Sequence, residues 1–200
     1  VTAGGTRAPI DPVRFIGNRS SGRMGIALAA AAARRGAEVT LIAANVSLPE
    51  PAGVRRVDVE TAAQLAAAAE AEFPETDVLL MAAAPADFRA AAVNDGKLAR
   101  RDGLELRLEP TEDILASLAA VKTGSQTVVG FAAEHGGDAI GRARSKRSRK
   151  SADMIVLNDV SDPAIGFESA DNAVTLIDSE GEIEVPIAAV ALGATVIEKH

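Results

Sequence analysis

A strand-to-helix junction rich in glycine and hydroxyl side chains constrains this chain more than any other feature. Gly4-Gly5-Thr6-Arg7 follows a few strand-like residues, and Asn18-Arg19-Ser20-Ser21-Gly22-Arg23-Met24-Gly25 runs into an Ala-rich helical segment. Such residues leave backbone N–H groups exposed at the head of a helix, where aligned peptide dipoles add partial positive charge. The junction suits a phosphate or another anion, and so points to a nucleotide or a phosphorylated metabolite. Only Val1-Thr2-Ala3 precedes the glycines, whereas an ordinary strand holds about five or six residues. The first strand is therefore expected to lack part of its length, in a chain cut from something longer or trimmed at its start.

Beyond the junction, short β-branched runs alternate with Ala-rich helical ones. Helices are predicted over residues 25–35, closed by Gly36, over 61–73 with Thr61 as cap, over 112–121 capped by Thr111, over the basic stretch 138–150, and over 187–199. Apolar strands are predicted at 39–42, 54–59, 77–81, 127–131 and 154–157, and a half-exposed one at Leu104, Leu106 and Leu108. Val174–Ile177 and Ile183–Val185 flank Ser179-Glu180-Gly181 as a hairpin. This alternation implies an α/β fold, a Rossmann-like three-layer sandwich with a mostly parallel sheet and a C-terminal β-hairpin. The whole of 1–200 reads as a single domain, with a flexible lid within 89–102 hinged near Gly96 and Gly103. Ligands of such folds bind beyond the carboxyl ends of the strands. The segments after Ala3, Met81, Phe131 and Leu157 should therefore converge.

Composition removes several chemistries. There is no Cys, Tyr or Trp, and the two His are His135 and the terminal His200. Thiolate catalysis, Cys-ligated zinc and Tyr-based acid–base chemistry are excluded, and no G-x-S-x-G elbow is present. Aromatic content of 2% and a net charge of −7 argue against nucleic-acid binding. No apolar run reaches the ~18 residues of a membrane span, and the absence of Cys fits the cytoplasm.

The site residues carry more than one meaning. The loop is too long for a compact G-x-G-x-x-G, and the second strand ends in Ala43-Ala44-Asn45 without the acid that takes a dinucleotide ribose. Asn18 suits a turn, and equally a donor to a developing oxyanion. Asp87 can cap, pair with a cation, or accept from a sugar or base. Lys97 is either a solvated loop charge or a lid residue closing on phosphate. Lys146 and Lys150, four apart in the basic stretch, share a helix face, which is either solvated or turned to an anion such as a triphosphate. A nucleotide-dependent Rossmann oxidoreductase and a non-catalytic nucleotide-binding domain both stay open at this point.

The full run from Gly4 to Gly25 closely resembles phosphopantothenoylcysteine synthetase, which in bacteria is usually the second half of a bifunctional decarboxylase/synthetase of coenzyme A biosynthesis. Met81-Ala82-Ala83-Ala84, Ala86-Asp87-Phe88, Asp113-Ile114-Leu115, Gly130-Phe131-Ala132-Ala133-Glu134, Lys146-Arg147, Arg149-Lys150 and Asn158-Asp159-Val160-Ser161 follow in family order. The resemblance implies CTP-dependent joining of 4′-phosphopantothenate to L-cysteine through an acyl-cytidylate, with CMP and pyrophosphate released. It implies that Asn18 and Lys97 act in catalysis. Gly5, Asn18, Ser20, Gly22, Gly25 and Asn158 would hold substrate or intermediate. Ala82, Ala83, Asp87, Lys97, Glu112, Asp113, Ile114, Leu115, Phe131, Lys146 and Lys150 would hold the nucleotide. Mg²⁺ is expected with CTP at a metal position the residues do not identify, and no flavin in this domain. A homodimer, joined through the 174–185 hairpin or the loop after Met81, and a fused N-terminal flavin-dependent decarboxylase are further expectations. The choice between CTP and ATP stays open. Three positions depart from the family: Ala8 stands for Glu, Pro85 for Val, and Lys97-Leu98-Ala99-Arg100 for Lys-x-Lys-Lys.

Overall fold

A strand whose side chains alternate between two cores is what joins the layers. The computed structural model describes residues 1–100, 104–159 and 174–185. In chain order the elements are β1 (Thr2–Gly4), β2 (Arg7–Pro9), β3 (Phe15–Gly17), α1 (Arg23–Arg34), β4 (Val39–Ala44), β5 (Val54–Val59), α2 (Ala62–Glu72), β6 (Val78–Met81), β7 (Phe88–Ala90), β8 (Leu108–Pro110), α3 (Ile114–Val121), β9 (Thr127–Glu134), α4 (Ala139–Lys150), β10 (Met154–Asp159), β11 (Val174–Ile177) and β12 (Glu182–Val185). Along β4, Val39, Leu41 and Ala43 join a core with Ala29 of α1. Ile42, pointing the other way, joins Leu65 and Ala69 of α2, Leu118 of α3 and Ala143 of α4. Period-two alternation on a strand buried on both faces makes three layers from one sheet.

The main sheet runs β12-β11-β10-β9-β6-β1-β4-β5. From β5 to β10 every pairing is parallel, and β11 and β12 are antiparallel additions. Strand order reverses between β1 and β6: β4 and β5 lie on one side of β1, and β9 and β10 lie beyond β6. That reversal opens a crevice beyond the strand ends, the standard ligand position of doubly wound sheets. The class expected from sequence is therefore the class observed, including the terminal hairpin. In its turn, the Asp178 carboxylate accepts from the N–H groups of Glu180 and Gly181 at 2.7 and 3.0 Å.

Several boundaries differ from expectation for local reasons. Thr61 caps α2 as predicted, in a reciprocal box with Gln64. Pro74 ends that helix early, so Phe73 opens a short 3₁₀ turn while staying buried. Thr111 does not cap α3. Its hydroxyl donates to the Ala86 carbonyl at 2.6 Å, and Asp113 caps by accepting from the Ala116 N–H at 3.2 Å. The predicted strand through Leu104 and Leu106 is reduced to β8, paired with β7 in a separate two-stranded ribbon where Leu108 stays exposed. Strand β9 runs three residues past Phe131, and β10 reaches Asp159, so segments expected as loops extend the sheet instead. The predicted helix 187–199, the motif residues Val160 and Ser161, and lid residues 101–103 lie outside the described residues.

Helix α1 meets β1 with no space between. A Cβ at Gly25 would stand 2.5 Å from the Ala3 Cβ and 2.6 Å from the Thr2 carbonyl oxygen. Replacing a helical Gly by Ala ordinarily stabilises by roughly 0.5–1 kcal/mol. Here Gly25→Ala is expected to reverse the sign and cost about 1–3 kcal/mol through overpacking. A urea unfolding curve checks this: a midpoint equal to or above that of the parent protein would contradict the close approach.

Candidate active site

Two threonines tie the two sides of the crevice together. The Thr2 hydroxyl accepts from the Ala83 N–H at 3.0 Å, and the Thr6 hydroxyl accepts from the Ala86 N–H at 2.8 Å. Between them the Ala84 N–H donates to the Gly4 carbonyl at 2.7 Å, and the Thr6 N–H donates to the Ala84 carbonyl at 3.2 Å. Both threonine side chains are fully enclosed. The loop after β1 and the loop after β6 thus form one rigid floor. Ala82 and Ala83 belong to it, and small side chains there keep the floor low.

Asn18 stands on this floor. Its carboxamide Nδ2 donates to the Pro85 carbonyl at 2.8 Å, while the residue remains exposed. One N–H and the carbonyl oxygen of the amide have no partner among the described residues. Pro85 lacks a backbone donor, but the group used at this position is its carbonyl, which proline keeps. Gly5 lets the loop fold back: a Cβ there would lie 2.8 Å from the Asn18 carbonyl oxygen. Gly22, at φ +76°, turns the chain into α1 against Val46. No side chain caps α1, and Ser20 is half-buried just before it.

A second cluster assembles on the far side of β6. The Lys146 Nζ donates to the Phe131 carbonyl at 3.2 Å, and Lys150 pairs with Asp113 at 2.9 Å. Burial holds the Lys146 ammonium below its usual pKa, and neighbouring Lys150 adds to this, while Glu134, Asp87 and Asp113 pull the other way. Those couplings place Asp87, Asp113, Phe131, Lys146 and Lys150 in one locality. Two further members of the basic run are ion-paired: Arg142 with Glu134 at 2.6 Å and Arg144 with Glu182.

Other predicted residues are placed differently. Ile114 and Leu115 are core side chains, so only their backbone faces outward chemistry. The Glu112 carboxylate accepts from the Ser117 hydroxyl at 2.7 Å, inside its own helix start. Asn158 sits near the end of β10 opposite Ala133, and its Oδ1 is buried with no partner among the described residues. Lys97 is exposed and unpaired among the described residues. Among those residues, no group of three or more His, Cys, Asp or Glu converges to hold a metal ion.

Sequence reasoning missed the anchor of the Lys97 segment. Asp11, buried, accepts from the N–H groups of Val13 and Arg14 at 2.8 Å each and of Leu98 at 3.1 Å, and pairs with Arg14 at 2.9 Å. The Asn94 N–H also donates to the Ile10 carbonyl at 3.0 Å. The segment carrying Lys97 is thus tied to the first loop on both sides of that residue. The visible signal was an Asp followed by Pro, a turn former. Asn45 was also underread. At φ +54° its Nδ2 donates to the carbonyls of Gly5 and Glu60, 2.9 Å each, locking the end of β4 to the glycine loop.

The strand order, the reversal crevice and the glycine-lined helix entry define a Rossmann-like α/β ligand-binding domain. The chain belongs to the family described as DNA/pantothenate metabolism flavoprotein, C-terminal domain, whose model matches residues 1–197. It is 47% identical over 191 residues to the coenzyme A biosynthesis bifunctional protein CoaBC of Escherichia coli K12, covering 94% of this chain and 47% of that protein. The CoaBC of Mycobacterium tuberculosis H37Rv is 47% identical over 194 residues, covering 90% and 46%. The chain therefore spans about half the length of the curated relatives it matches. Among solved structures, the C-terminal domain of CoaBC aligns with a TM-score of 0.78 at 38% identity, covering 93% of this chain and 84% of that one. A Cab2 mutant in complex with phosphopantothenate-cysteine aligns with a TM-score of 0.79 at 17% identity, over 100% and 80%, and shares the fold. Among the described residues no helix is long and apolar enough to cross a membrane.

The Asp11 carboxyl is pushed up by burial, but the backbone donors Val13, Leu98 and Arg14 and the Arg14 charge outweigh this and hold it below its ordinary value. A depressed carboxyl contributes stability that is complete above the unfolded-state pKa of about 4 and is lost as pH falls through the folded value. Asp11→Asn is expected to be less stable than the parent at neutral pH, with the gap narrowing below about pH 4. Urea midpoints across that range provide the check, and parallel pH profiles would remove Asp11 as the anchor.

Proposed function

We propose that this domain ligates 4′-phosphopantothenate to L-cysteine at the expense of CTP, as an acid–amino-acid ligase of coenzyme A synthesis in the cytoplasm. The substrate carboxylate attacks the α-phosphorus of CTP and pyrophosphate leaves. The amine of cysteine then attacks the acyl carbon, an amide forms, and CMP leaves with the carboxylate oxygen on its phosphate. Both nucleophiles come from substrates, which suits a crevice that offers donors and charge in place of a nucleophilic side chain. Catalysis here is positioning and electrostatic stabilisation.

The observation that carries this reading is Asn18. Its amide is fixed across the reversal crevice by Pro85 yet keeps a donor and an acceptor for a ligand. We assign it to the acyl-cytidylate and to the oxyanion formed as cysteine attacks. Gly5, Ser20, Gly22 and Gly25 hold the intermediate at the head of α1, and the orphan Oδ1 of Asn158 borders the pantothenate side. Asp87, Asp113, Phe131 and Lys150 frame the nucleotide. Lys146, partly desolvated beside another cation, gains from an incoming phosphate. Lys97 closes on the pyrophosphate. Mg²⁺ would accompany CTP on its phosphates, screening their charge. The same residues would admit ATP, and competition between the two nucleotides decides preference.

Exposed apolar side chains on the β2–β3 and β7–β8 ribbons, Phe15, Phe88 and Leu108 among them, support a homodimer joined near the loop after Met81. The half-length match to bifunctional relatives supports a fused flavin-dependent decarboxylase. The oxidoreductase alternative is disfavoured by Asn45, whose amide is engaged with two backbone carbonyls where a ribose-binding acid would stand.

Asn18→Asp places a negative charge where the oxyanion forms. It is expected to accumulate acyl-cytidylate while slowing amide formation by about 10²–10³, the scale of one lost oxyanion donor. Trapping the intermediate by mass spectrometry checks this, and parent rates of cysteine ligation would sink the assignment. Lys97→Gln is expected to slow pyrophosphate release in a single turnover and to leave the conversion of preformed intermediate largely intact. Equal pyrophosphate bursts in variant and parent would contradict closure of Lys97 on the leaving group.

A further inference from the structure

The proposed reaction needs a place for a free amino acid as well as for the nucleotide and the acyl substrate. A shallow depression of about 500 Å³, open to solvent, lies at the carboxyl ends of β4 and β5, across β1 from the lysine cluster, with Arg7, Asn45, Ser47, Asp58, Glu60 and Gln64 in its lining. Several of these groups are already engaged. Arg56 takes Asp58 at 2.7 Å, and the Gln64 carbonyl oxygen accepts from the N–H groups of Glu60 and Thr61 at 2.8 and 3.1 Å. Asn45 is engaged with the Gly5 and Glu60 carbonyls.

Three polar groups remain without a hydrogen bond or ion pair among the described residues: the Arg7 guanidinium, the Glu60 carboxylate and the Ser47 hydroxyl. The guanidinium lies over the Phe15 ring, 4.5 Å from its centroid. Stacking fixes its plane and leaves its edge N–H groups for a carboxylate. Glu60 is held beside it, because the Arg7 N–H donates to the Glu60 carbonyl at 2.8 Å. An unpaired cation and an unpaired carboxylate on neighbouring backbone, in a space ample for a small molecule, match the two ends of a zwitterion. The two carboxylates of the lining, Asp58 and Glu60, disfavour a polyphosphate. The wall is also continuous with the reacting centre: Asn45 binds the Gly5 carbonyl, and Gly5 abuts the Asn18 backbone.

We propose that this depression is the subsite of the amino-acid nucleophile, with the α-carboxylate on Arg7 and the ammonium facing Glu60. The proposal rests on the ligase reading for its place in the reaction, but binding of a free amino acid can be tested without turnover. In the whole protein, Arg7→Met is expected to raise KM for L-cysteine about tenfold or more, the scale of one lost charge-assisted contact, with KM for the nucleotide unmoved. Cysteamine lacks the carboxylate and is expected to be used equally by parent and variant. Glu60→Gln, which keeps the side-chain shape, is expected to raise KM for L-cysteine as well, so the test survives if Arg7→Met misfolds. Arg7→Lys should recover part of the loss.

Saturation-transfer NMR with L-cysteine and no nucleotide gives the independent readout, with signal in the parent protein and loss of it in Arg7→Met. If the protein ligates nothing but shows that pattern, the ligase reading fails and the amino-acid site stands. If ligation proceeds while cysteine KM and saturation transfer are the same in parent, Arg7→Met and Glu60→Gln, the subsite is overturned. A rise in nucleotide KM with unchanged cysteine KM would also overturn it, and would assign Arg7 to phosphate.

Discussion

Everything in the crevice depends on the pairing of two buried hydroxyls with two backbone amides. Thr2 and Thr6 flank Gly4 and Gly5, and they accept from Ala83 and Ala86 across the reversal of strand order. A doubly wound sheet leaves a gap at this point, because its two halves depart in opposite directions. Parallel pairing between β1 and β6 alone does not hold loops that extend beyond it. The threonines continue the pairing past the strand ends, and burial strengthens each bond while making its loss costly. Asn18 and Pro85 then complete the same seam at the surface, where a ligand can reach it.

Much of this organisation was legible in the sequence. Runs such as Val39–Ile42 and Met154–Leu157 announce apolar strands, and the glycines and hydroxyls ahead of the Ala-rich segment announce a strand-to-helix junction. Thr61 with Gln64 three residues later is a helix start readable by spacing alone. What stayed hidden required partners distant in sequence. Thr111 has the right chemistry for a cap, but its hydroxyl is drawn to Ala86, and the cap falls to Asp113. Leu104, Leu106 and Leu108 have the alternation of a half-exposed strand. Alternation reports a face only when a sheet is there to present one, and here a two-stranded ribbon uses Leu108–Pro110 alone.

Among the candidate site residues, Asn18, Lys146 and Lys150 stand out in the sequence by their chemistry: an amide just before two serines, and lysines four apart. Asp11 and Asn45 were overlooked because each is a common turn residue whose special work is done by contacts far along the chain, to Leu98 and to Glu60. Single-sequence reading weighs what a side chain can do, and it lacks the pairings that decide whether that capacity is already taken. Glu112 illustrates the converse. Its position in the motif suggested a ligand contact, whereas its carboxylate is engaged by Ser117.

The charge pattern explains how an acidic protein can receive a polyanion. A net charge of −7 repels phosphates at long range, so attraction must be local. The first turns of the basic helix cannot supply it, since Arg142 and Arg144 are paired with Glu134 and Glu182. Lys146 differs. It bonds only a backbone carbonyl, is partly desolvated, and stands beside Lys150, so its charged form is disfavoured without a ligand. Lys150 in turn leans on Asp113 at the head of α3. An incoming phosphate would relieve the repulsion between the two lysines and replace the lost hydration of Lys146. The same group would bind weakly on an exposed lysine, whose charge water already satisfies.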